Sequence, residues 1–356
     1  MTLAQIKQLL CDTGVQLLQA GLVARTWGNI SIRIDEKSFA ITPSGVFYKD
    51  IKVEHISVIS IDDLSWTGMT KPSSEKGLHA NIYKEHPKIN AIIHTHQPAA
   101  SAIAAARLDL NEDTPCVPYA LPTTAKLARK AASLLRSRTE WVNGSILLAN
   151  HGTICTGSTI EQAVKEALDL ENKSVQFIKS YSNKLPRTND IYSAYHKAQE
   201  LMSPLREELS KTYSNTEENP EWINKVFAQR PDINTIIWSK WPYTQAYSEM
   251  GKKLIPLLDD MAQLIGIEAP YFIDSDHIKI KERNALFIKN KGALCLGPTK
   301  SESLAIQMVL EKSARSYIEA NIVGKGHPIT LFERILMRFI YKTKYSKMSQ
   351  KQLEKQ

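Results

Sequence analysis

The sequence has little cysteine and no arrangement of it that makes a framework: Cys11, Cys116, Cys155 and Cys295 show neither close pairing nor zinc-finger spacing. That excludes a disulfide-stapled fold and suggests buried thiols in a reducing compartment. No stretch approaches the roughly 20 apolar residues that a membrane span needs. The first twenty residues lack the apolar core and small-residue cleavage site of a secretory signal. Instead, Leu3, Ile6, Leu9, Leu10, Leu17 and Leu18 recur at helical spacing, which predicts an amphipathic helix over residues 1–20. The body lacks a basic stripe interleaved with aromatics, which argues against nucleic acid as a partner. Although the formal charge is +8, residues 325–356 alone carry six lysines and two arginines against two glutamates. This tail is either a solvated charged end or a surface for acidic partners, and the rest of the chain is close to neutral. A cytoplasmic protein without membrane or nucleic-acid partners is the expectation.

At 356 residues the chain exceeds the usual size of one domain, and its 43% hydrophobic and 23% charged content is that of an ordinary globular protein. Self-comparison identifies the second domain. Residues 85–98 match residues 229–242 at six of fourteen positions, and residues 146–157 match 286–297 at four of twelve. The offsets, 144 and 140, fit one duplication with a four-residue deletion in the second copy.

Four residues of the first copy carry chemistry. His94 and His96 are separated by one residue at the end of the apolar run Ala91-Ile92-Ile93, and His151 follows Ile146-Leu147-Leu148 in the same way. Alternate residues of extended chain share a face, so His94 and His96 can hold one ion from a strand end. His151 would complete a three-nitrogen platform with an open position, the pattern of a catalytic metal rather than a structural one. A histidine pair alone is an ordinary feature of a core; two strand-end placements favour the metal reading. Glu75, in Pro72-Ser73-Ser74-Glu75, supplies a candidate acid/base group. That segment precedes Leu78, Ile82 and Tyr83 and predicts a helix start, where a serine is either a plain cap or part of an anion site. Trp27-Gly28-Asn29 and Thr42-Pro43-Ser44-Gly45 are turns able to add donors.

The second copy keeps the strands and loses the ligands. His94 aligns with Trp238, His96 with Lys240 and His151 with Lys291, while the same offset places Asn219 opposite Glu75. Cys155 and Cys295 occur in both copies, as packed core thiols do.

Taken in order, Gly28-Asn29, Thr42-Pro43-Ser44-Gly45, Pro72-Ser73-Ser74-Glu75, His94-Thr95-His96 and Asn150-His151-Gly152 resemble the class II aldolase and adducin family, over roughly residues 1–180. The resemblance implies an α/β fold, a three-layer α/β/α arrangement with a central mixed, mostly antiparallel sheet, here duplicated in tandem. It implies Zn2+ held by His94, His96 and His151, one per chain, though three imidazoles also accept other divalent transition metals. It makes Glu75 the catalytic carboxylate, and Asn29, Ser44, Gly45, Ser73 and Ser74 the phosphate-binding positions. The implied activity is aldol cleavage of a small sugar phosphate by way of a zinc-stabilised enediolate. Dehydratase or epimerase chemistry, and an adducin-like interaction role, are the alternatives. The family's tyrosine proton donor has a reduced counterpart here; Tyr119 is the nearest candidate, with structural packing as its other reading. Because family members assemble as tetramers, a dimer of this chain forming a ring of four domains is expected.

The expected layout is a metal-binding domain over 1–182, a connecting segment over 183–228, a degenerate repeat over 229–320 and a basic helix and tail over 321–356. Within the connection, residues 191–213 are expected to hold helix broken near Pro204. Residues 328–345 are expected to form an amphipathic helix that docks on this chain or on another subunit.

Overall fold

The computed structural model describes residues 1–138, 140–202 and 209–345. The chain divides into two compact units, Met1–Phe177 and Ile178–Gln356.

The first unit opens with helix α1 (Leu3–Gln19), whose Thr2 and Gln5 form a reciprocal cap at its start. Strands β1 (Asn29–Arg33), β2 (Ser38–Ile41), β3 (Ser57–Ser60) and β4 (Trp66–Thr67) follow, then α2 (Lys76–Glu85) and β5 (Ala91–Thr95). After α3 (Pro98–Ala106) come β6 (Cys116–Val117), α4 (Ala125–Arg136), β7 (Gly144–Leu148), β8 (Gly152–Gly157) and α5 (Ile160–Ser182). The eight strands form one sheet in the order β4-β3-β2-β1-β5-β8-β7-β6. All pairings are antiparallel except β6 with β7.

Side-chain alternation gives the sheet two covered faces. On one, Phe39, Ile41, Ile92, Ile146, Leu148 and Ile154 pack against Leu78, Ile82 and Tyr83 of α2 and Leu127 and Ala128 of α4. On the other, α1 contacts β1 and β2, and α3 contacts β7 and β8. Helix α3 is buried from Ala99 to Ala106 and built mostly from small residues, so it sits close to the strands. The expected three-layer, mostly antiparallel architecture is present.

The second unit contains α6 (Asp190–Leu201), β9 (Ser210–Ser214), α7 (Glu221–Gln229), β10 (Thr235–Ser239), α8 (Pro242–Glu249) and α9 (Asp259–Leu264). Strands β11 (Tyr271–Phe272), β12 (Ala285–Ile288) and β13 (Gly292–Gly297), and helices α10 (Lys300–Val323) and α11 (Leu331–Ile340), complete it. Its sheet runs β11-β12-β13-β10-β9. Read from β9, this order reproduces β1-β5-β8-β7-β6, down to the one parallel pair, β11 with β12. Register is kept as well: Ala91 faces Gly157 in the first sheet, and Thr235 faces Gly297 in the second. Nothing corresponds to β2–β4 among the described residues.

The structure redraws two of the expected segments and keeps a third. Residues 183–228 are not a bare connection: they hold α6, which packs on α8 and α10, the sheet strand β9, and α7. Helix was expected through Tyr213, but residues 210–214 are strand; Pro204 lies outside the described residues. The helix expected over 328–345 forms as α11 and packs on α9, with Arg334 donating to the Ile267 carbonyl and Arg338 to those of Gln263 and Leu264. Its apolar stripe of Leu331, Phe332, Ile335 and Phe339 is exposed, so the helix docks through its basic side. The end of the expected basic tail, residues 346–356, lies outside the described residues. Among the described residues, no helix is long and apolar enough to cross a membrane.

Candidate metal centre

Strand β5 brings His94 out of the core on the face covered by α2, and pairing with β1 sets Asn29 directly opposite it. His96 follows one residue beyond the strand end. The turn between β7 and β8 supplies His151, behind Asn150, which adopts a left-handed backbone with φ 60°. The three rings form a near-equilateral cluster, each pair of centroids 4.8 Å apart. The His94 and His96 Nε2 atoms are 2.9 Å apart. Three nitrogens sharing one zinc at about 2.1 Å in a tetrahedron are separated by about 3.4 Å, so this cluster is of the size a metal requires.

The donor chemistry fits too. His94 Nδ1 lies 2.7 Å from the Thr153 carbonyl, which can only accept, so the ring is protonated there and Nε2 is left with its lone pair. Close backbone approach makes the cluster possible. A Cβ on Gly152 would lie 2.4 Å from the Thr95 carbonyl oxygen and 3.2 Å from the His94 ring. One on Gly28 would lie 2.5 Å from the His94 carbonyl oxygen. Glycine at both positions lets three chain segments meet.

Glu75 is the N-cap residue of α2, but its side chain does not cap the helix. Its Oε1 lies 3.0 Å from His151 Nε2, its Oε2 3.2 Å from His94 Nε2, and Asn29 Nδ2 donates to Oε2 at 2.8 Å. Burial opposes its charge, but the imidazoles when protonated, His94 before His151, more than offset this and hold the carboxyl well below the usual carboxylate range.

The remaining expected site residues fall into two groups. The turns carrying Ser44 and Gly45 and carrying Ser73 and Ser74 are stitched together: Ser44 N donates to the Lys71 carbonyl at 2.9 Å and Ser73 N to the Thr42 carbonyl at 3.1 Å. Ser74 is exposed, Ser44 half-buried, and Ser73 buried with its hydroxyl accepting from Glu75 N. Asn29 gives one Nδ2 hydrogen to Glu75, and its Oδ1 has no hydrogen-bond partner. Tyr119 is linked to the site less directly: Arg107 lies over its ring at 5.5 Å and donates to Asn150 Oδ1 at 2.9 Å.

Sequence reasoning missed Glu171, whose two carboxylate oxygens accept from Ala99 N and Ala100 N at the start of α3, just after His96. A carboxylate at a helix N-terminus satisfies free donors and complements the dipole. The 140-residue offset could have found it, since Glu311 does the same for Tyr243 N and Thr244 N at the start of α8.

The second copy shows what stands in place of the three histidines. Trp238 Nε1 donates to the Lys291 carbonyl at 2.6 Å, the Trp222 ring packs edge-on against it, and Lys240 reaches over it. Lys211 holds the place of Asn29, paired with Trp238 across the strands. An indole fills the position, and the cysteines common to both copies, Cys155 and Cys295, are buried core thiols.

Known proteins extend the comparison. The chain is 32% identical over 182 residues to 5-deoxy-D-ribulose 1-phosphate aldolase of Bacillus thuringiensis serovar kurstaki, covering 48% of this chain and 83% of that protein. It is 30% identical over 199 residues to 3-oxo-tetronate 4-phosphate decarboxylase of Haemophilus influenzae, covering 52% and 92%. A solved L-fuculose 1-phosphate aldolase aligns with a TM-score of 0.47 at 28% identity, covering 51% of this chain and 89% of that one. The family described as Class II Aldolase and Adducin N-terminal domain matches residues 8–175 and again 224–318, that is, both copies. The chain therefore belongs to the class II aldolase and adducin family, and among the described residues the histidine cluster that could hold a metal ion lies in the first copy.

Proposed function

We propose that the first unit is a metal-dependent carbon–carbon lyase acting on a small sugar phosphate. A ketose 1-phosphate would be cleaved to a dihydroxyacetone phosphate-type product and an aldehyde. The observation that supports this most is the meeting of three histidines from two segments with one buried carboxylate. His94, His96 and His151 would hold Zn2+, or another divalent transition metal. When bound, the ion would supply Lewis-acid stabilisation of the negative charge left on substrate oxygens as the bond breaks.

The chain's own residues do the rest. Glu75, held by Asn29, would move a proton to or from the carbon that becomes nucleophilic. Ser44, Gly45, Ser73 and Ser74, on two joined turns, would hold the phosphate and turn its binding energy into orientation at the reacting carbon. Tyr119 is the candidate donor to the departing aldehyde. A second reading, decarboxylation of a 3-oxo acid phosphate, is supported by the decarboxylase relative and needs the same carbanion stabilisation.

The test is to incubate zinc-loaded protein with a panel of ketose 1-phosphates, scoring triose phosphate release, and with 3-oxo acid phosphates, scoring carbon dioxide. Release of triose phosphate supports the aldolase reading, carbon dioxide alone replaces it with the second, and neither product from any substrate contradicts both. The same reading gives the degenerate copy the place of a neighbouring subunit, so a dimer is expected in solution. A fully active monomer by light scattering removes that part.

A further inference from the structure

Behind Glu75 lies a row of polar contacts that the metal site does not use. Strand β1 presents Asn29, Ser31 and Arg33 to α2, which presents Glu75, His79 and Tyr83. Asn29 Nδ2 donates to Glu75, Ser31 Oγ lies 2.7 Å from His79 Nδ1 and 2.8 Å from the Tyr83 hydroxyl, and Arg33 donates to the Tyr83 carbonyl at 2.8 Å. The spacing explains why rungs recur: two strand residues advance about 6.7 Å and four helix residues about 6 Å. Ser31, His79 and Tyr83 are essentially fully buried, and the Phe39 ring packs on both His79 and Tyr83. His79 Nε2 has no hydrogen-bond partner, so the imidazole is kept in the core for the sake of one bond.

The second copy supplies a control. Its register places Tyr213 where Ser31 stands and, by the 144-residue offset, Ile223 where His79 stands and Phe227 where Tyr83 stands. Tyr213 and Ile223 lie in one hydrophobic cluster with Phe227 packed against it, so the same strand and helix pack there through apolar contacts. Polar rungs are therefore unnecessary for this packing. They occur in the copy that has Glu75 and are missing from the copy with Asn219.

We propose that His79, bonded to Ser31, whose hydroxyl also bonds that of Tyr83, is a positioning residue that fixes the rotation and height of α2 so that the Glu75 carboxylate stays seated between Asn29 and the histidine cluster. Apolar packing tolerates a small slide or roll of a helix; a directional bond one turn behind the carboxylate does not. This rests on the metal-lyase reading for its catalytic consequence, but its geometric content stands apart from that reading.

Two substitutions test it. His79→Phe keeps a ring on Phe39 and removes the bond, whereas His79→Asn offers an amide at the position of Nδ1. Crystal structures of the zinc-loaded variants, with metal content and turnover measured in parallel, give independent readouts. His79→Phe is expected to keep one zinc, to lose the Asn29–Glu75 bond, and to lower kcat about 10–100-fold with KM unchanged. His79→Asn is expected to recover most of that loss, and His79→Phe to add nothing in a Glu75→Gln background. An unmoved Glu75 carboxylate overturns the proposal, as does equal loss in both backgrounds, or zinc or fold lost from both variants. If wild-type protein turns over no sugar phosphate while Glu75 moves in the variant, the lyase reading fails and the positioning role stands.

Discussion

The two copies within this chain share strand order, register and turns, and differ in what those turns present. Asn150 and Asn290 both take left-handed backbone, with φ 60° and 57°. Gly152 and Gly292 both let a carbonyl approach closer than a Cβ would allow. Glu171 and Glu311 each cap the helix after the central strand. All of this is scaffold, since it persists where the three histidines do not. What differs is a short set: three histidines against Trp238, Lys240 and Lys291, Asn29 against Lys211, and the buried polar rungs against apolar packing. The comparison separates what the fold needs from what the chemistry needs, position by position.

The sharpest way to break the comparison is at the carboxylate. Glu75→Gln is expected to retain metal while lowering turnover by about 10^2–10^4-fold, and Asn219→Gln in the second copy to change nothing. Steady-state kinetics with metal analysis check both; undiminished turnover removes Glu75 from the mechanism. A graft runs the other way. Because the register and the left-handed Asn290 are retained, the combined change Trp238→His, Lys240→His and Lys291→His is expected to add a second metal equivalent without added turnover. Unchanged stoichiometry on equilibrium dialysis would show that the second scaffold has drifted.

The glycines sharpen the comparison further. Gly152→Ala and Gly292→Ala each drive a methyl into a strand carbonyl, and Gly292 also has φ 83°. Each is expected to cost roughly 2–4 kcal/mol on denaturant unfolding, with metal affinity reduced only for Gly152→Ala. Equal loss of metal from both variants would deny that the copies are separable.

A further expected effect is a pH slope. Burial, with His94 second and Glu75 opposing, pushes the His79 ring down to about 3. An unfolded imidazole titrates near about 6.5, so between these values the unfolded chain binds the extra proton. His79 thus contributes its full stability above about pH 6.5 and loses it progressively as pH falls toward 3. His79→Phe should remove a slope of about 1.4 kcal/mol per pH unit from that window in pH-dependent unfolding, and an unaltered slope contradicts the buried, neutral assignment.

Much of this was legible in the sequence, for definite physical reasons. His94 and His96 announce themselves because strand alternation turns a one-residue gap into a shared face. The duplication is visible because Ile92, Ile93, Gly152 and Gly157 sit at positions where the core or a close approach accepts little else. Strand β9 was invisible because it lies at the end of its sheet and buries only Tyr213, so its sequence does not alternate. That is why residues 183–228 read as a connection. Asn29 was assigned through resemblance to phosphate; the register that puts it opposite His94, and its bond to Glu75, are long-range facts that no local pattern encodes. The partner of His79 is hidden for the same reason, 48 residues away in sequence.

The central claim is that one copy, and one only, binds a metal. Metal analysis of the purified full chain beside its His96→Ala variant tests it most directly. One equivalent in the wild type and far less in the variant is the predicted result; no bound metal in the wild type, or one equivalent persisting without His96, would contradict it.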